Sequence, residues 1–254
     1  MLHFTVIVSG RFGRPARLCS SAQLALSSGA MGAGHSQPLG VMRRFVCGQG
    51  LANGLKTTGV MRVSSDIAFK EWAVVVDTLG RGEQVLILRK GGIREARGEF
   101  HVEHASFWLF PTQYHEAERS IIPSKRAALR ETAGAASKNF VAIEFFATAD
   151  CVIKISDAGL LERLQGRHIW TEQTLKERFE FGRERGLHAL VTRIYRRAQT
   201  ERFAMRDEYG GCKSWVQLER AIAGDVVPVL SDGEFRAQRE EIRALLSDHA
   251  LAHS

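Results

Sequence analysis

From position 65 onward, apolar and polar positions fall into readable periods. Ser65 or Asp66 precedes Phe69, Trp72, Ala73, Val76 and Leu79, an i, i+3, i+4, i+7 series. That spacing predicts a capped helix, with Gly80 and Gly82 as its stop. Gln84–Arg89 (QVLILR) is short, apolar and β-prone, which predicts a buried strand. Ser106–Phe110 predicts a second strand, closed by Pro111. Ser124–Ala136 reads as a helix. Phe140–Ala147 and Cys151–Ile155 read as two strands joined by a turn at Ala149-Asp150. Ser156 caps a helix carrying Leu160, Leu161 and Leu164, ended by Gly166. Thr171 and Glu172 open another helix, with Leu175 and Phe179 one turn apart and Gly182 and Gly186 behind them. His188–Tyr195 and Lys213–Leu218 are further strands. Ser231 and Glu234 form a capping box ahead of a last amphipathic helix carrying Phe235, Ile242, Leu245 and Leu246. Strands and helices mix without βαβ alternation. The expected class is α+β: one mixed domain over residues 61–254, with a largely antiparallel or mixed sheet and packing helices.

Residues 1–60 follow neither period. They hold ten of the 24 glycines, scattered among Ser and Ala, and no Asp or Glu. Such a stretch buries too little apolar surface to offset its ordering entropy. Three readings stand side by side: a disordered segment, an Arg- and Ser-rich transit peptide, or upstream sequence translated ahead of a true start at Met61.

Charge changes meaning once it is mapped. The formal net charge of +7 suggests a phosphate-backbone binder. Six of the 35 basic residues lie in the first sixty, which leaves 29 basic against all 28 acidic residues in the remainder. The body is nearly neutral, so overall charge carries no nucleic-acid assignment. The four cysteines are widely separated and form no CxxC, as expected for a reducing cytoplasm. No apolar run approaches the length of a membrane-crossing helix.

Two stretches carry candidate chemistry. In the first, Arg89-Lys90-Gly91-Gly92 follows a strand, where glycine backbone and cations can meet an anion. The run is neither GxGxxG nor a Walker sequence, and Gly91-Gly92 equally makes an ordinary tight turn. Beyond it, Glu95, His101, His104 and His115 supply atoms suited to a divalent metal, or polar loop residues. In the second stretch, EYGGCKSWVQL, glycines precede Cys212, Lys213, Ser214 and Trp215. Cys212 beside Lys213 is either an activated thiolate or a small buried side chain. The segment ALRETAG resembles part of a Nudix box, but Ile122 and Ala133 stand where that box needs acids. Residues 125–136 therefore read as a surface helix.

The segments FKEWAVVVDTLGRGEQVLILRKGGIREARGEF, HASFWLFPTQYHE, RGLHALVTRIYRR and GGCKSWVQLE occur in order. Together they resemble a bacterial domain-of-unknown-function family, number 1802, over about residues 67–218. The resemblance implies no defined activity. Fusion of some members to Mrr-type nuclease domains implies a link to restriction systems and DNA metabolism.

Two functions are expected on different grounds. The first is a nucleic-acid- or nucleotide-associated binding module, accessory to a restriction-type nuclease and needing no cofactor. Lys70, Arg89, Lys90 and Lys213 would meet phosphate beside Gly91, Gly92 and Ser214, with Tyr209 or Trp215 as a stacking face. The second is a metal-dependent hydrolase using Glu95, His101, His104 and His115. Under the first, the two stretches are expected to face each other across one cleft.

Overall fold

In this computed structural model the described residues are 59–90, 93–96, 99–113, 118–135, 137–182, 184–211 and 213–247. The expectations for residues 1–58 lie outside them. The protein is α+β, as its mixed periods predict. Its strands are β1 (Met61–Trp72), β2 (Leu86–Arg89), β3 (Ile93–Ala96), β4 (Glu99–Val102), β5 (Ser106–Thr112), β6 (Phe140–Ile155), β7 (Leu187–Ala204) and β8 (Trp215–Pro228). The helices are α1 (Ala73–Gly80), α2 (Arg126–Ala135), α3 (Gly159–Arg163), α4 (Glu172–Glu180) and α5 (Asp232–Ser247).

Six strands form one mixed sheet in the order β2-β7-β6-β5-β1-β8, while β3 and β4 make a separate hairpin. Among the described residues of the large sheet, only β1 and β5 pair in parallel. The long β7 also pairs through Tyr195–Arg197 with Val226–Pro228 of β8. That second pairing closes β7-β6-β5-β1-β8 into a ring, which removes most of the open edge.

Two apolar cores follow from this closure. One draws Ala68, Trp108, Phe110, Val141, Ile143, Phe146, Phe203, Val216, Leu218, Ile222 and Val226 from the five ring strands, and fills the ring. The other lies on the opposite sheet face, where Phe69, Phe107, Leu109 and the β2 residues pack against α1, α3, α4 and α5. Strand β5 alternates between them: Trp108 and Phe110 enter the ring, and Phe107 and Leu109 face the helices.

Three expectations are corrected. Residues 65–72 are strand, not helix. A register shift between Ser65 and Ile67, where the Ile67 amide donates to Ser65 Oγ at 3.1 Å, marks a bulge. It moves the ring-facing set from odd positions (Met61, Val63) to an even one (Ala68), so the apolar pattern loses its period of two. Pairing on both sides then overrides the apparent helical spacing. Residues 140–155 are one strand rather than two. In place of the expected turn at Ala149-Asp150 there is a register shift between Ala149 and Cys151, as at Ser65, within a continuous ladder to β7. Pro111 lies inside β5 instead of ending it.

Other signals hold. Thr171 caps α4 by accepting the Thr174 amide. Ser231 and Glu234 exchange the reciprocal bonds of a capping box. Gly82 takes φ 71° after α1, where a side chain would be strained. Gly80 has another cause: a Cβ there would lie 2.2 Å from the Phe145 ring.

Candidate functional site

The C-terminal end of β1 carries Lys70, Glu71 and Trp72. Strand β2 ends at Arg89, the loop into β8 carries Lys213 and Ser214, and β8 opens with Trp215. Strands β2 and β8 both pair with β7. Curling brings their ends together: Arg89 Nη2 donates to Ser214 Oγ at 2.9 Å. Arg89 Nη1 also reaches the Lys70 carbonyl at 3.3 Å and Glu71 Oε2 at 3.4 Å. Its guanidinium carbon lies 4.8 Å from the Phe69 ring centroid. The two candidate stretches thus meet.

Glu71 is 3% exposed, so its carboxylate needs charged or polar partners. Oε1 accepts the Trp72 amide at 2.9 Å, and Oε2 faces Arg89. A second guanidinium joins from α4. Arg178 lies 3.7 Å over the Trp170 ring centroid and 5.3 Å from that of Trp72. The two indoles meet edge to face at 4.8 Å. Burial pushes the Arg178 guanidinium below the usual arginine value, the Glu71 carboxylate pulls it back, and Arg89 pushes it down further. Arg178 has no hydrogen-bond acceptor among the described residues. One arginine therefore pairs with the buried carboxylate, and a second, within reach of its charge but not in contact with it, carries unused donors against an aromatic wall.

The remaining candidates take varied roles. Lys70 Nζ donates to the carbonyls of Tyr209 and Gly211 at 2.7 and 2.8 Å, pinning the loop ahead of β8. Lys90 Nζ donates to the carbonyls of Phe179 and Gly186, each at 3.0 Å, and to that of Glu184. It closes the C-terminal end of α4, where a cation suits the helix dipole. Tyr209 is 3% exposed, its ring 5.5 Å from Phe110, and its hydroxyl accepts the Glu219 amide. It offers no open stacking face. Trp215 is half-buried, 4.7 Å from Phe69, 5.0 Å from Phe107 and 5.0 Å from His104. Lys213 is exposed. Gly91, Gly92, Cys212 and His115 lie outside the described residues.

Of the metal-type residues, His104 packs on Trp215. Backbone register in the hairpin sets Glu95 opposite Phe100 and His101 opposite Arg94, so those two are not cross-strand partners. Among the described residues no three His, Cys, Asp or Glu side chains cluster to hold a metal.

No motif singles out Glu71, Trp72, Trp170 or Arg178. One signal exists for Arg178: it stands three residues after Leu175 and one before Phe179, on the buried stripe of α4. A cation there needs a route to solvent or a partner for its charge.

Residues 68–241 match the model of a family described as Domain of unknown function (DUF1802). No curated protein matches the chain. Among solved structures, it is similar to ASCH from Zymomonas mobilis at 13% identity and a TM-score of 0.36, covering 71% of this chain and 95% of that one. A point mutant of the same protein aligns at 14% identity and a TM-score of 0.34, over 68% and 96% of the two chains. At those scores the likeness carries no weight for function. No described helix is long and apolar enough to cross a membrane.

Proposed function

The chain belongs to the DUF1802 family, and we propose that it is a nucleic-acid- or nucleotide-associated binding module whose anion contact is the Arg89–Arg178 pair. The observation carrying this reading is the excess of guanidinium over carboxylate at Glu71, with Arg178 stacked on Trp170 and its donors unaccepted. A planar guanidinium held on an indole loses little freedom when it takes a phosphate in bidentate fashion. Lys213 and Ser214 supply nearby polar reach, and Trp215 supplies aromatic surface. In its finer form the module is a cytoplasmic accessory to a restriction-type nuclease, contacting nucleic acid while the cutting centre sits on another chain. The binding step needs no cofactor.

Fluorescence anisotropy with labelled single-stranded DNA, single-stranded RNA and duplex DNA tests this. Binding should fall as salt rises, and Arg178→Ala should lower the slope of log affinity against log salt by about 1. Absence of binding by all three probes at low salt would refute the module reading.

A further inference from the structure

We infer that Phe181 is a stacking platform for an unpaired nucleobase beside the phosphate contact at Arg178, which makes single-stranded nucleic acid the ligand of this module. Such a platform deepens the binding-module reading, rests on it, and names the kind of strand bound. Phe181 is 74% exposed, more than any other large apolar side chain among the described residues. Phe179, two positions earlier, is 3% exposed and fills the place in the core that α4 offers an aromatic ring. A phenylalanine left in water forgoes the burial that usually holds it.

Backbone geometry sets where the ring goes. The Phe181 amide still donates to the Glu177 carbonyl at 3.0 Å, and its φ of −63° is helical. The side chain therefore leaves α4 where the next helical residue's would, nearly opposite Phe179 and next to Arg178, three positions back. Its ψ of 136° turns the chain out of the helix, and Gly182 at φ 83° takes the left-handed place that follows. The loop is braced. The Gly186 amide closes its base on the Phe179 carbonyl at 2.9 Å, Lys90 gathers the carbonyls of Phe179, Glu184 and Gly186, and Arg185 pairs with Glu180 at 2.8 Å. A ring on a loop held in this way loses little freedom on binding.

Charge orients the strand. Arg178 is half-buried and keeps donors that no described acceptor takes. On the other flank of Phe181 stands the Glu177 carboxylate, which accepts from Gln173 Nε2 at 2.9 Å. A phosphate is drawn to the first and repelled by the second, so the backbone passes Arg178 with a base turned onto the ring. A base inside a duplex is already stacked on both faces, so the ring can take only an unpaired one. Phenylalanine has no hydrogen-bonding group and stacks on any base, so the contact adds affinity without reading sequence.

The test compares the full chain with its Phe181→Ala and Phe181→Trp variants by fluorescence anisotropy. The probes are labelled single-stranded DNA, single-stranded RNA, a strand of abasic sites and duplex DNA, all of one length. Phe181→Ala should weaken binding of the base-bearing single strands by roughly five- to a hundredfold. Its salt slope and melting temperature should not change, because the ring is neither charged nor part of the core. Phe181→Trp should keep the affinity, and the abasic strand should bind wild type and Phe181→Ala alike. Equal affinity of wild type and Phe181→Ala for the base-bearing strands, an equal loss on the abasic strand, or tighter binding of duplex than of single strands overturns the platform and leaves the module reading standing. Loss of self-association in Phe181→Ala with unchanged strand affinity assigns the ring to a protein contact and overturns the platform too. Binding of none of the probes overturns the module reading and the platform with it.

Discussion

Arg89 and Ser214, 125 residues apart in the chain, are joined by a 2.9 Å hydrogen bond. Arg89 ends β2 and Ser214 immediately precedes β8, two strands that both pair with β7, so this contact depends on the ring that β7 and β8 close. The same guanidinium faces Glu71, which is almost wholly buried. Arg89 is therefore both a clamp between strand ends and the partner of a carboxylate that cannot reach water.

Removing that partner should cost more than removing the carboxylate. Arg89→Ala leaves Glu71 poorly compensated, with an expected loss of about 3 kcal/mol in urea unfolding. Glu71→Gln should cost less, and the double variant should recover part of the Arg89→Ala loss. Strictly additive losses would show that the pair is not coupled.

Lys90 gathers three carbonyls at the end of α4. Lys90→Ala should lower the melting temperature by roughly 5 °C, from about 2 kcal/mol of charge-assisted bonding. Hydrogen exchange should quicken around residues 180–187. An unchanged melting temperature would free Lys90 for a ligand role.

Arg178 separates stacking from charge. Arg178→Lys keeps the cation and loses the planar fork, so strand affinity should fall by about tenfold, whereas Arg178→Ala should lose more. Equal losses in both variants would show that the fork geometry is what matters. Equal affinity in wild type and Arg178→Ala would remove Arg178 from the site.

His168 gives stability a pH dependence. Its folded value is depressed to about 4 from 6.5, so the unfolded chain binds a proton more readily. The stabilising difference is complete above pH 6.5 and is lost as pH falls towards about 4. The loss should be on the order of 2–4 kcal/mol. Unfolding followed from pH 7 to 4 should show this slope, and His168→Phe should flatten it. An identical slope in the variant would assign the dependence to other groups.

The named contacts of the sheet and its cores start at Met61, which pairs with Val226. A chain shortened to begin there should keep the wild-type melting temperature within a few degrees. A large drop would show that residues 1–60 contribute to the fold.

Local chemistry was determined by the sequence itself. The capping residues Thr171, Ser231 and Glu234, the β-prone QVLILR run, and the α+β mixture follow from short-range preference and period, which need no distant partner. Bulges interrupt that legibility: the shifts near Ser65 and Ala149 change which face each apolar residue takes, so a strand imitates a helix and one strand imitates two. The site is a matter of tertiary structure. Lys70, Arg89, Ser214 and Trp215 could be marked as candidates from their neighbours in the chain. Glu71, Trp170 and Arg178 gain meaning only when ring closure and the packing of α4 bring them together. Lys90 makes the same point from the other side: beside Gly91 it looks like an anion site, yet the end of α4 reaches its ammonium with three carbonyls. Which cation remains free for a ligand depends on which acceptors the fold brings within hydrogen-bonding distance, and those acceptors are backbone groups that no side-chain pattern encodes.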